Sequence, residues 1–416
     1  MRKGRRKTAA RPIRKIAGRK AKLGAGRKAR SRRNPAGRGT GLLGSPWTAK
    51  EAAISSAAPA DGRSEPTFVE YYPEENVHFE AAKGLDETVH EYLKEKTVTA
   101  RPAFAAVIPN GRVWGWDGAV LTSDYRLLSD VSMEFSWEYI IDHRHSIQRR
   151  WRTNPVLKVP GTVGVLTHPG GRNFYHWMFD IVPRIHLLRN SGVPIDKYVM
   201  MRNRSPYQNE ILNLLNIPRE QRIYTHKRFH LQAKKLVVPS LTSKFSWSPS
   251  HYPLPVVYAR WACQAVRNQL LPHGNPPNEA NERLYISRSM AIQRKMLNER
   301  DLLNLLQPLG FTVIHPETLS VRDQIGLFAS AKTIVAPHGA ALANLAFCRP
   351  GTQVIELCPP NYVPGYFWML SRHFDLDYYC LLGDRHVFSS KPWQGGADFT
   401  VDLKRLAEVL EKAGIR

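Results

Sequence analysis

From residue 161 onward, short apolar runs alternate with stretches in which apolar positions recur every three or four residues. The short runs predict buried strands and the stretches predict amphipathic helices. The first series contains predicted strands 163–166, 198–201 and 235–238 and predicted helices 173–189, 206–215 and 256–271. Pro206 suits the first turn of its helix, whereas Pro183 is expected to kink or shorten the helix that contains it.

The alternation restarts at Leu284, after a joint at 273–281 that is rich in proline and asparagine. This second series contains predicted strands 284–286, 311–314, 333–336, 353–355 and 378–382 and predicted helices that begin near residues 298, 321 and 338. Two such series predict an α/β protein with two Rossmann-type doubly wound domains facing a cleft. We place these domains at 63–272 and 282–416. Short β-like runs between 68 and 151 predict an antiparallel addition to the first domain.

The formal net charge of +25 is concentrated at one end of the chain. Residues 1–40 hold 17 of the 60 Lys and Arg and no acid, so 25 less 17 leaves +8 for residues 41–416. A segment with so few large apolar residues cannot bury enough surface to fold, and we interpret 1–62 as a disordered basic tail and linker. The tail could bind anionic lipid or nucleic acid, could be a solvated extension, or could be a transit peptide.

The remaining composition is that of a globular protein, with 43% hydrophobic residues and ten tryptophans. No run of eighteen apolar residues predicts a membrane span, and the start of the chain lacks the apolar region of a secretory signal. The four cysteines show neither paired nor metal-ligand spacing. We therefore expect a cytoplasmic protein without disulfides.

The turn at His338, Gly339 and Ala340 follows a predicted strand directly and opens a helix. Strand, small-residue turn and helix together aim backbone N–H groups and a positive helix end at an anion. Arg288 leaves another strand end, and Arg294 follows it in a flexible segment. The two arginines could be solvated surface cations, but with the turn they predict a diphosphate pocket without a metal.

Two further residues are assigned to the same predicted pocket. Glu356 ends the strand after the turn, where a carboxylate could accept both ribose hydroxyls or form a salt bridge with an arginine. Asn344 lies within the helix that the turn opens, and we expect it to fix the turn by hydrogen bonds. Asn298 fits a helix N-cap, so we expect a structural role for it.

In the predicted helix 173–189, His176, Asp180 and Arg184 share one face because they are spaced by four residues. A carboxylate or imidazole at a cleft can act as a general base that takes the proton of a substrate hydroxyl. Asp180 and His176 are our candidate pair, although the spacing alone favours an ordinary exposed ion pair. Asp180 could be the base or could orient His176. Trp177 is expected in the core rather than against a sugar.

A glycine-containing loop, 168–172, precedes this helix, and its last residue, Arg172, could bind phosphate or acceptor. Farther along, Asp375-Leu376-Asp377 has the spacing of a divalent-metal motif. This triplet precedes a predicted strand outside the donor segment, so we interpret it as a loop and predict no metal site and no cofactor.

The chain resembles glycosyltransferase family 61 between residues 161 and 382. The resemblance rests on two blocks in the expected order. The upstream block is Asn173 to Trp177 with Asp180, Pro183 and Arg184; the downstream block is Ser287-Arg288, Arg294 with Asn298-Glu299, His338 to Ala340 with Asn344, and Gly351 with Glu356. The resemblance implies the two-domain GT-B architecture and a UDP-sugar donor. It also supports His176 and Asp180 as catalytic residues and places Asn173, Arg172 and Arg184 on the acceptor side.

These observations predict an inverting glycosyltransferase that uses a nucleotide-sugar, with a glycan or lipid-linked saccharide as acceptor, in surface or exopolysaccharide synthesis. The tail would then bring the enzyme to the anionic inner face of the cell membrane. One competing hypothesis is a protein that binds nucleic acid or membrane through its tail, for which affinity would fall steeply with salt. Another is a retained scaffold that binds nucleotide without turnover.

Overall fold

The computed structural model describes residues 46–56, 67–85, 91–135, 144–149, 154–202, 205–244, 257–277, 282–360, 362–384 and 397–416. The predicted basic tail at 1–40 and most of the linker that follows it lie outside these ranges, as do the end of the joint at 278–281 and residue 151. Residues 41–416 form one compact unit. Among the described helices, none is long and apolar enough to span a bilayer.

The strands of the described ranges are numbered in chain order: β1 Phe68–Tyr72, β2 Glu75–Phe79, β3 Lys96–Ala100, β4 Ala103–Pro109, β5 Arg112–Trp114, β6 Ala119–Leu121, β7 Leu157–Val165, β8 Lys197–Met201, β9 Arg222–Thr225, β10 His230–Pro239, β11 Ser243–Lys244, β12 Val257–Tyr258, β13 Arg283–Ile286, β14 Thr312–Ile314, β15 Thr333–Pro337, β16 Gln353–Cys358 and β17 Asp377–Leu382.

The α-helices are numbered in the same way: α1 Ala49–Ser56, α2 Phe174–His176, α3 Val182–Asn190, α4 Pro206–Leu214, α5 Arg260–Leu270, α6 Glu299–Leu306, α7 Val321–Ser330, α8 Tyr366–His373 and α9 Leu403–Lys412. A π-helical turn, Trp177–Ile181, joins α2 to α3. A 3₁₀ helix spans Ala340–Phe347, and shorter 3₁₀ turns occupy Glu91–Leu93, Ser146–Arg149, Arg219–Gln221, Leu271–His273, Gln307–Leu309 and Pro316–Thr318.

The first sheet has eight strands, and its main path runs β1-β4-β10-β7-β8-β9. Strands β10, β7, β8 and β9 are parallel, whereas β4 and β5 pair with β10 in antiparallel fashion. Within the parallel part the chain moves from β7 to β8 to β9 and then returns to the other side of β7 to form β10. The strand order therefore reverses between β7 and β10, which makes this pair the switch point of the sheet.

The second sheet is fully parallel, with the order β14-β13-β15-β16-β17. Its central strands β15 and β16 are buried almost along their whole length, as expected for a sheet covered by helices on both faces. The order is that of a doubly wound fold, and it reverses between β13 and β15. The α/β class and the parallel strands predicted by the sequence are therefore confirmed.

The two halves share one large apolar core. That cluster contains residues of both sheets, such as Met200, Leu284 and Ile334, together with Cys263 and Val266 of α5. Strands β1, β4, β5 and β6 form the predicted antiparallel addition to the first sheet. The hairpin β2–β3 instead packs on the second half, where the Phe79 ring lies tilted against Trp368 of α8, 5.5 Å between centroids. Two separate domains facing a cleft remain a prediction, since residues 41–416 cluster as a single unit.

Candidate functional site

The switch point of the second sheet carries the predicted anion pocket. Ser287 and Arg288 follow β13, and the turn at Gly339 follows β15, so both lie at the carboxyl edge where the strand order reverses. In open α/β sheets ligands bind at this position. A cavity of about 570 Å³ lies there, lined by Arg288 and residues 339–342 from the second half and by Phe174 and residues 205–207 from the first half.

Arg288 is held in the cavity wall by its own loop. Its Nε donates to the Arg294 carbonyl at 3.1 Å and its Nη2 donates to the Gln293 carbonyl at 2.8 Å. A Cβ on Gly339 would lie 1.9 Å from Nη1 of Arg288, so glycine lets the guanidinium rest against the turn. Burial, and then the charge of Arg294, lowers the pKa of Arg288 to about 10. The group stays cationic at neutral pH.

Arg294 has a left-handed backbone with φ of +56°, which is uncommon for a residue with a side chain. Its guanidinium lies over the Tyr362 ring, 5.2 Å from the centroid. Arg294 does not line the cavity itself. It adds positive charge beside Arg288 and anchors the loop whose carbonyls hold the Arg288 side chain.

His338 follows β15 and lies buried against Tyr362 and Phe367. Its Nδ1 lies 2.5 Å from Glu356 Oε1, and the Tyr378 hydroxyl donates to Glu356 Oε2 at 2.5 Å. Both oxygens of this carboxylate are thus held by buried side chains. The geometry gives Glu356 the role of orienting His338, and the partner is a histidine rather than the arginine considered from the sequence. A ribose contact for Glu356 stays a prediction.

The charge state of His338 follows from its burial. Burial lowers the pKa of His338, Glu356 raises it in part, and Arg294 and Arg288 lower it again, with a net lowering. The His338 imidazole is therefore neutral and hydrogen-bonded through Nδ1, and Arg288 and Arg294 are the nearby cations. This arrangement leaves the positive charge of the pocket with the arginines.

The turn after β15 opens a 3₁₀ helix rather than the predicted α-helix, with Gly339 at its N-cap. Ala340 and Ala341, in the first turn of this helix, line the cavity, and backbone N–H groups in a first turn lack helical partners. Asn344 is fully buried and donates to Gln324 Oε1 at 2.9 Å and to the Ala341 carbonyl at 3.0 Å. It fixes the turn and is absent from the cavity wall, which corrects its assignment to donor binding.

Asn298 and Glu299, at the start of α6, do not line the cavity. Asn298 occupies the N-cap position of α6, but its side chain pairs with the backbone of Val401 at 2.8 and 3.1 Å instead of capping the helix. Glu299 accepts from the Tyr285 hydroxyl at 2.9 Å and from the Ser287 hydroxyl at 2.8 Å. These bonds fix the end of β13 and therefore the origin of Arg288.

His176 and Asp180 lie at the switch point of the first sheet, on the helical segment that follows the loop after β7. His176 Nδ1 lies 2.7 Å from Asp180 Oδ2. The His176 side chain is 20% exposed whereas that of Asp180 is 1% exposed. Among the described residues, none hydrogen-bonds Nε2 of His176. The predicted pair is therefore an oriented imidazole in front of a buried acid, not a surface ion pair.

Asp180 is surrounded by donors from three other segments. The Tyr258 hydroxyl donates to Oδ2 at 2.8 Å, and Thr242 Oγ1 and His168 Nε2 lie 3.2 and 3.7 Å from Oδ1. Burial acts to raise the pKa of Asp180, but His168 and the hydrogen bonds from His176 and Tyr258 outweigh it, so the pKa is lowered. The group is a carboxylate with its lone pairs engaged, which makes it the orienting partner of His176.

A π-helical turn places this carboxylate. The Val182 N–H donates to the Trp177 carbonyl, one residue farther back than in an α-helix. Pro183 lacks the N–H that would reach the Phe179 carbonyl, and the Thr242 hydroxyl donates to that carbonyl instead at 2.7 Å. The interruption that Pro183 predicted is confirmed, and the hydroxyl that fills the gap also lies beside Asp180.

His168 and Gly170 support the ring of His176. The Gly170 N–H donates to Nδ1 of His168 at 3.1 Å, so the neutral His168 ring carries its proton on Nε2, which faces Asp180. Burial lowers the pKa of His168 to about 4, although Asp180 acts to raise it. A Cβ on Gly170 would lie 2.6 Å from Cγ of His176. The glycine therefore serves packing against the imidazole.

Arg184 is fully buried, and its Nη1 donates to the Thr167 carbonyl at 2.7 Å. Burial lowers its pKa to about 10, against a raising effect of Asp180. It cannot reach an acceptor here, and its assignment to the acceptor side is corrected to a core role. Asn173 caps α2 by accepting from the Tyr175 N–H at 2.9 Å, and Arg172 is exposed. Trp177 is buried as predicted.

The two switch points are joined by aromatic contacts. Tyr175, next to His176, stacks on Tyr366 with 5.3 Å between centroids, and Tyr366 lies 6.2 Å from the His338 ring. Phe174, at the start of the same helical turn, lines the cavity. The base candidate therefore lies on the segment that forms one wall of the cavity that Arg288 also lines.

Three groups of side chains in the described ranges bring potential metal ligands within 4.8 Å of one another: His168 with His176 and Asp180, His338 with Glu356 and Cys358, and Asp117 with Glu134 and His145. In the first group the proton on His168 Nε2 disfavours ligation by that nitrogen. In the second, a raised pKa keeps the Cys358 thiol protonated. The expectation of no metal stays a prediction.

The Asp375 and Asp377 triplet lies away from all three groups. Asp377 begins β17 and forms an ion pair with Lys83, and Asp375 takes a left-handed turn with φ of +54°. The Asp377 carboxylate thus has a local structural role, and Asp375 lies in a turn, as the loop interpretation expected.

The sequence did not identify Tyr258, Thr242 or the role of His168. Tyr258 lies in a two-residue strand and Thr242 in a short loop, so neither has a periodic pattern around it. His168 had one signal: it opens the glycine-containing loop that directly precedes the helix of His176. A histidine at the carboxyl end of a parallel strand is a reason to search for a polar cluster.

Comparison with known proteins agrees with the two blocks seen in the sequence. The family model "Glycosyltransferase 61" matches residues 174–355. The chain carries a glycosyltransferase 61 domain. This domain contains His176, Asp180, Arg288 and His338, and it ends one residue before Glu356. A beta-1,2-xylosyltransferase of Arabidopsis thaliana is 23% identical over 96 residues, which are 23% of this chain and 16% of that protein. The chain thus matches about a sixth of the length of that relative.

Proposed function

We propose that the chain is an inverting, metal-independent glycosyltransferase that moves a sugar from a nucleotide-sugar to a glycan or lipid-linked saccharide. The observation that carries the proposal is the position of the His176–Asp180 pair on the segment that also forms a wall of the cavity lined by Arg288, at a switch point. A UDP-sugar is the favoured donor, in keeping with the family and with the xylosyltransferase it resembles.

His176 is the proposed general base. Its Nδ1 is engaged by Asp180, so Nε2 is the nitrogen that accepts the proton of the acceptor hydroxyl. As the hydroxyl oxygen bonds to the anomeric carbon, the bond from that carbon to the diphosphate oxygen breaks and its electron pair leaves with the nucleotide. Attack from the side opposite the leaving group inverts the anomeric centre. The Asp180 carboxylate stabilises the imidazolium that forms.

Arg288, Arg294 and the helix that begins at Ala340 are the proposed partners of the leaving diphosphate. Negative charge grows on that group as the bond breaks, and fixed cations and backbone N–H groups stabilise it without rearrangement. The loop carbonyls that grip Arg288, and the glycine on which it lies, fix the guanidinium before the donor arrives. Preorganisation of this kind raises the contribution of each contact.

We also propose a cellular setting for this reaction, based on the basic residues 1–40. A cytoplasmic enzyme of surface or exopolysaccharide synthesis, brought to an anionic membrane by residues 1–40, would combine the basic tail with a lipid-linked acceptor. A spin-down assay with neutral and anionic vesicles at increasing salt tests the tail separately from the site.

Thermal stability in the presence of nucleotides tests the donor site. With EDTA present, a UDP-sugar at 100 times its Kd should stabilise the chain by about 2.7 kcal/mol and raise the Tm, while GDP-, CMP- and dTDP-sugars give smaller shifts. Arg288→Ala should abolish the shift, and Arg219→Ala, which removes an exposed arginine, should keep it. A wild-type chain that responds to no nucleotide, with or without Mn²⁺, would refute the proposed function.

A further inference from the structure

Two large aromatic side chains are exposed beside the first switch point. Trp116 is 41% exposed and Phe135 is 49% exposed. Side chains of this size are usually mostly buried, and exposed apolar surface of this kind marks binding sites. Neither residue carried a functional signal in the sequence, where Trp177 was the tryptophan considered for a sugar contact.

Phe135 lies close to the proposed base, and Trp116 contacts Arg172, which precedes His176 by four residues. The Phe135 ring is 6.0 Å from the His176 ring between centroids. Trp116 lies beneath the guanidinium of Arg172, at 5.7 Å. The carbonyl of Arg172 accepts from the Tyr207 hydroxyl at 3.0 Å, and Tyr207 lines the donor cavity. Trp116 is therefore linked through Arg172 to the wall of the cavity, and Phe135 lies against His176.

A buried polar cluster holds the two aromatic segments together. Asp117 follows Trp116 directly, and Glu134 directly precedes Phe135. The ring of His145 lies between the two carboxylates, with Nε2 3.7 Å from Asp117 Oδ2 and Nδ1 3.4 Å from Glu134 Oε2. All three side chains are nearly inaccessible, so their polar groups have to find partners within the protein.

Further bonds fix the two segments. The Ser146 hydroxyl donates to Glu134 at 2.6 Å. The turn that carries Trp116 is set by Gly115 with φ of +86° and by the Thr225 hydroxyl, which donates to the Trp116 carbonyl at 2.5 Å. Trp116 and Phe135, 19 positions apart in sequence, are thus held with their aromatic rings at the surface. Exposed rings on a rigid support are suited to bind a ligand with little loss of conformational entropy.

We propose that Trp116 and Phe135, together with Arg172, form the binding site for the acceptor saccharide, whose hydroxyl is thereby brought to His176. A pyranose has a flat C–H face that an aromatic ring covers well and hydroxyl edges that Arg172 and the amide of Asn173 can bind. This inference rests on the proposed function, because it assigns the acceptor of the same reaction.

Binding of neutral oligosaccharides tests the site without turnover. The full-length chain, saturated with UDP, is applied to an array of neutral xylo-, gluco-, manno- and N-acetylglucosamine oligosaccharides, so that the basic residues contribute equally in every variant. The wild type should bind at least one series, and the Trp116→Ala/Phe135→Ala double variant should lose at least 90% of that signal. Leu157→Ala, an equally exposed apolar residue at the far end of β7, should keep it.

The saccharide with the strongest array signal then serves as acceptor in a kinetic test. Each single variant should raise the acceptor KM roughly three- to tenfold, while the donor KM and the slow hydrolysis of donor without acceptor stay at wild-type values. A wild type that binds no neutral saccharide, or a double variant that binds equally well, overturns the inference. If UDP does not raise the Tm of the wild-type chain, the proposed function is overturned instead.

Discussion

The two sheets place similar pairs of side chains at their switch points and use them differently. In the first sheet His176 faces Asp180, and in the second His338 faces Glu356; in both pairs Nδ1 meets a buried carboxylate. The His176 side chain is 20% exposed, whereas that of His338 is 5% exposed. A histidine–carboxylate pair is therefore a candidate base only where the second ring nitrogen is accessible to a substrate.

The surrounding charges differ in the same sense. Donors surround Asp180, which holds it as a carboxylate that can stabilise an imidazolium. Around His338 the neighbouring charges are Arg288 and Arg294, which disfavour protonation of the ring. One switch point is therefore suited to accept a proton and the other to bind an anion, although the backbone topology at the two places is similar.

Replacing each histidine by alanine should have the largest effects and tests whether His176 and His338 have different roles. His176→Ala should lower kcat about 1,000-fold, as expected for loss of a general base, and should keep the UDP melting shift. His338→Ala should mainly weaken nucleotide binding and raise the donor KM. Steady-state kinetics and thermal shifts measure both. Equal losses of kcat in the two variants, with nucleotide binding intact in both, would contradict the division of roles.

The pH dependence of the free energy of unfolding tests the charge state of His168 at the first switch point. The folded-state pKa of His168 is about 4, below the ordinary value of about 6.5. Between these pH values the unfolded chain binds a proton that the folded chain does not, so His168 makes stability decrease as pH falls from about 6.5 to 4. In urea titrations His168→Gln should remove roughly 2–3 kcal/mol of this decrease.

His226→Gln, which replaces an exposed histidine, is the matched control and should leave the pH dependence of stability unchanged. An identical slope for His168→Gln and the wild type would show that His168 is charged in the folded chain. The network around Asp180 would then have to be rebuilt with a second cation in it.

The smallest expected effects come from the glycines beneath the two functional side chains. In Gly339→Ala the new Cβ would displace the flexible end of Arg288 and should raise the donor KM about tenfold with little loss of stability. In Gly170→Ala the Cβ would press on the His176 ring, which should lower kcat several-fold at unchanged donor KM. The reverse assignment of KM and kcat effects would contradict the comparison.

Much of the fold was predictable because its strands and helices are strongly patterned. The predicted strand 198–201 and helix 206–215 differ from β8 and α4 by one residue at an end, and 378–382 from β17 likewise. The helix 173–189 was predicted as one element, yet it is divided by a π-helical turn, because the carbonyl freed by Pro183 finds a partner in Thr242, a residue 59 positions farther along. Local pattern carries no information on such a partner.

The candidate site shows the same division. The sequence indicated Arg288, His338, Gly339, His176 and Asp180, because each follows a strand end or a helical spacing that points to chemistry. It assigned Arg184, Asn344 and Glu356 to ligands from the family resemblance and from their positions, and these side chains are buried among protein partners. Whether a polar residue at a strand end faces a cavity or the core depends on the neighbouring strand and its helices.

Local periodicity and short motifs were sufficient to predict the α/β class, the order of the strands along the chain, the family resemblance and most of the polar residues at the strand ends. The packed structure was needed to establish the order of the strands in the sheets and the two switch points that follow from it. It was also needed to establish the role of the Asp180 carboxylate and the exposure of the Trp116 and Phe135 rings. Those features depend on burial and on partners distant in the chain, and burial is a property of the packed molecule rather than of any segment.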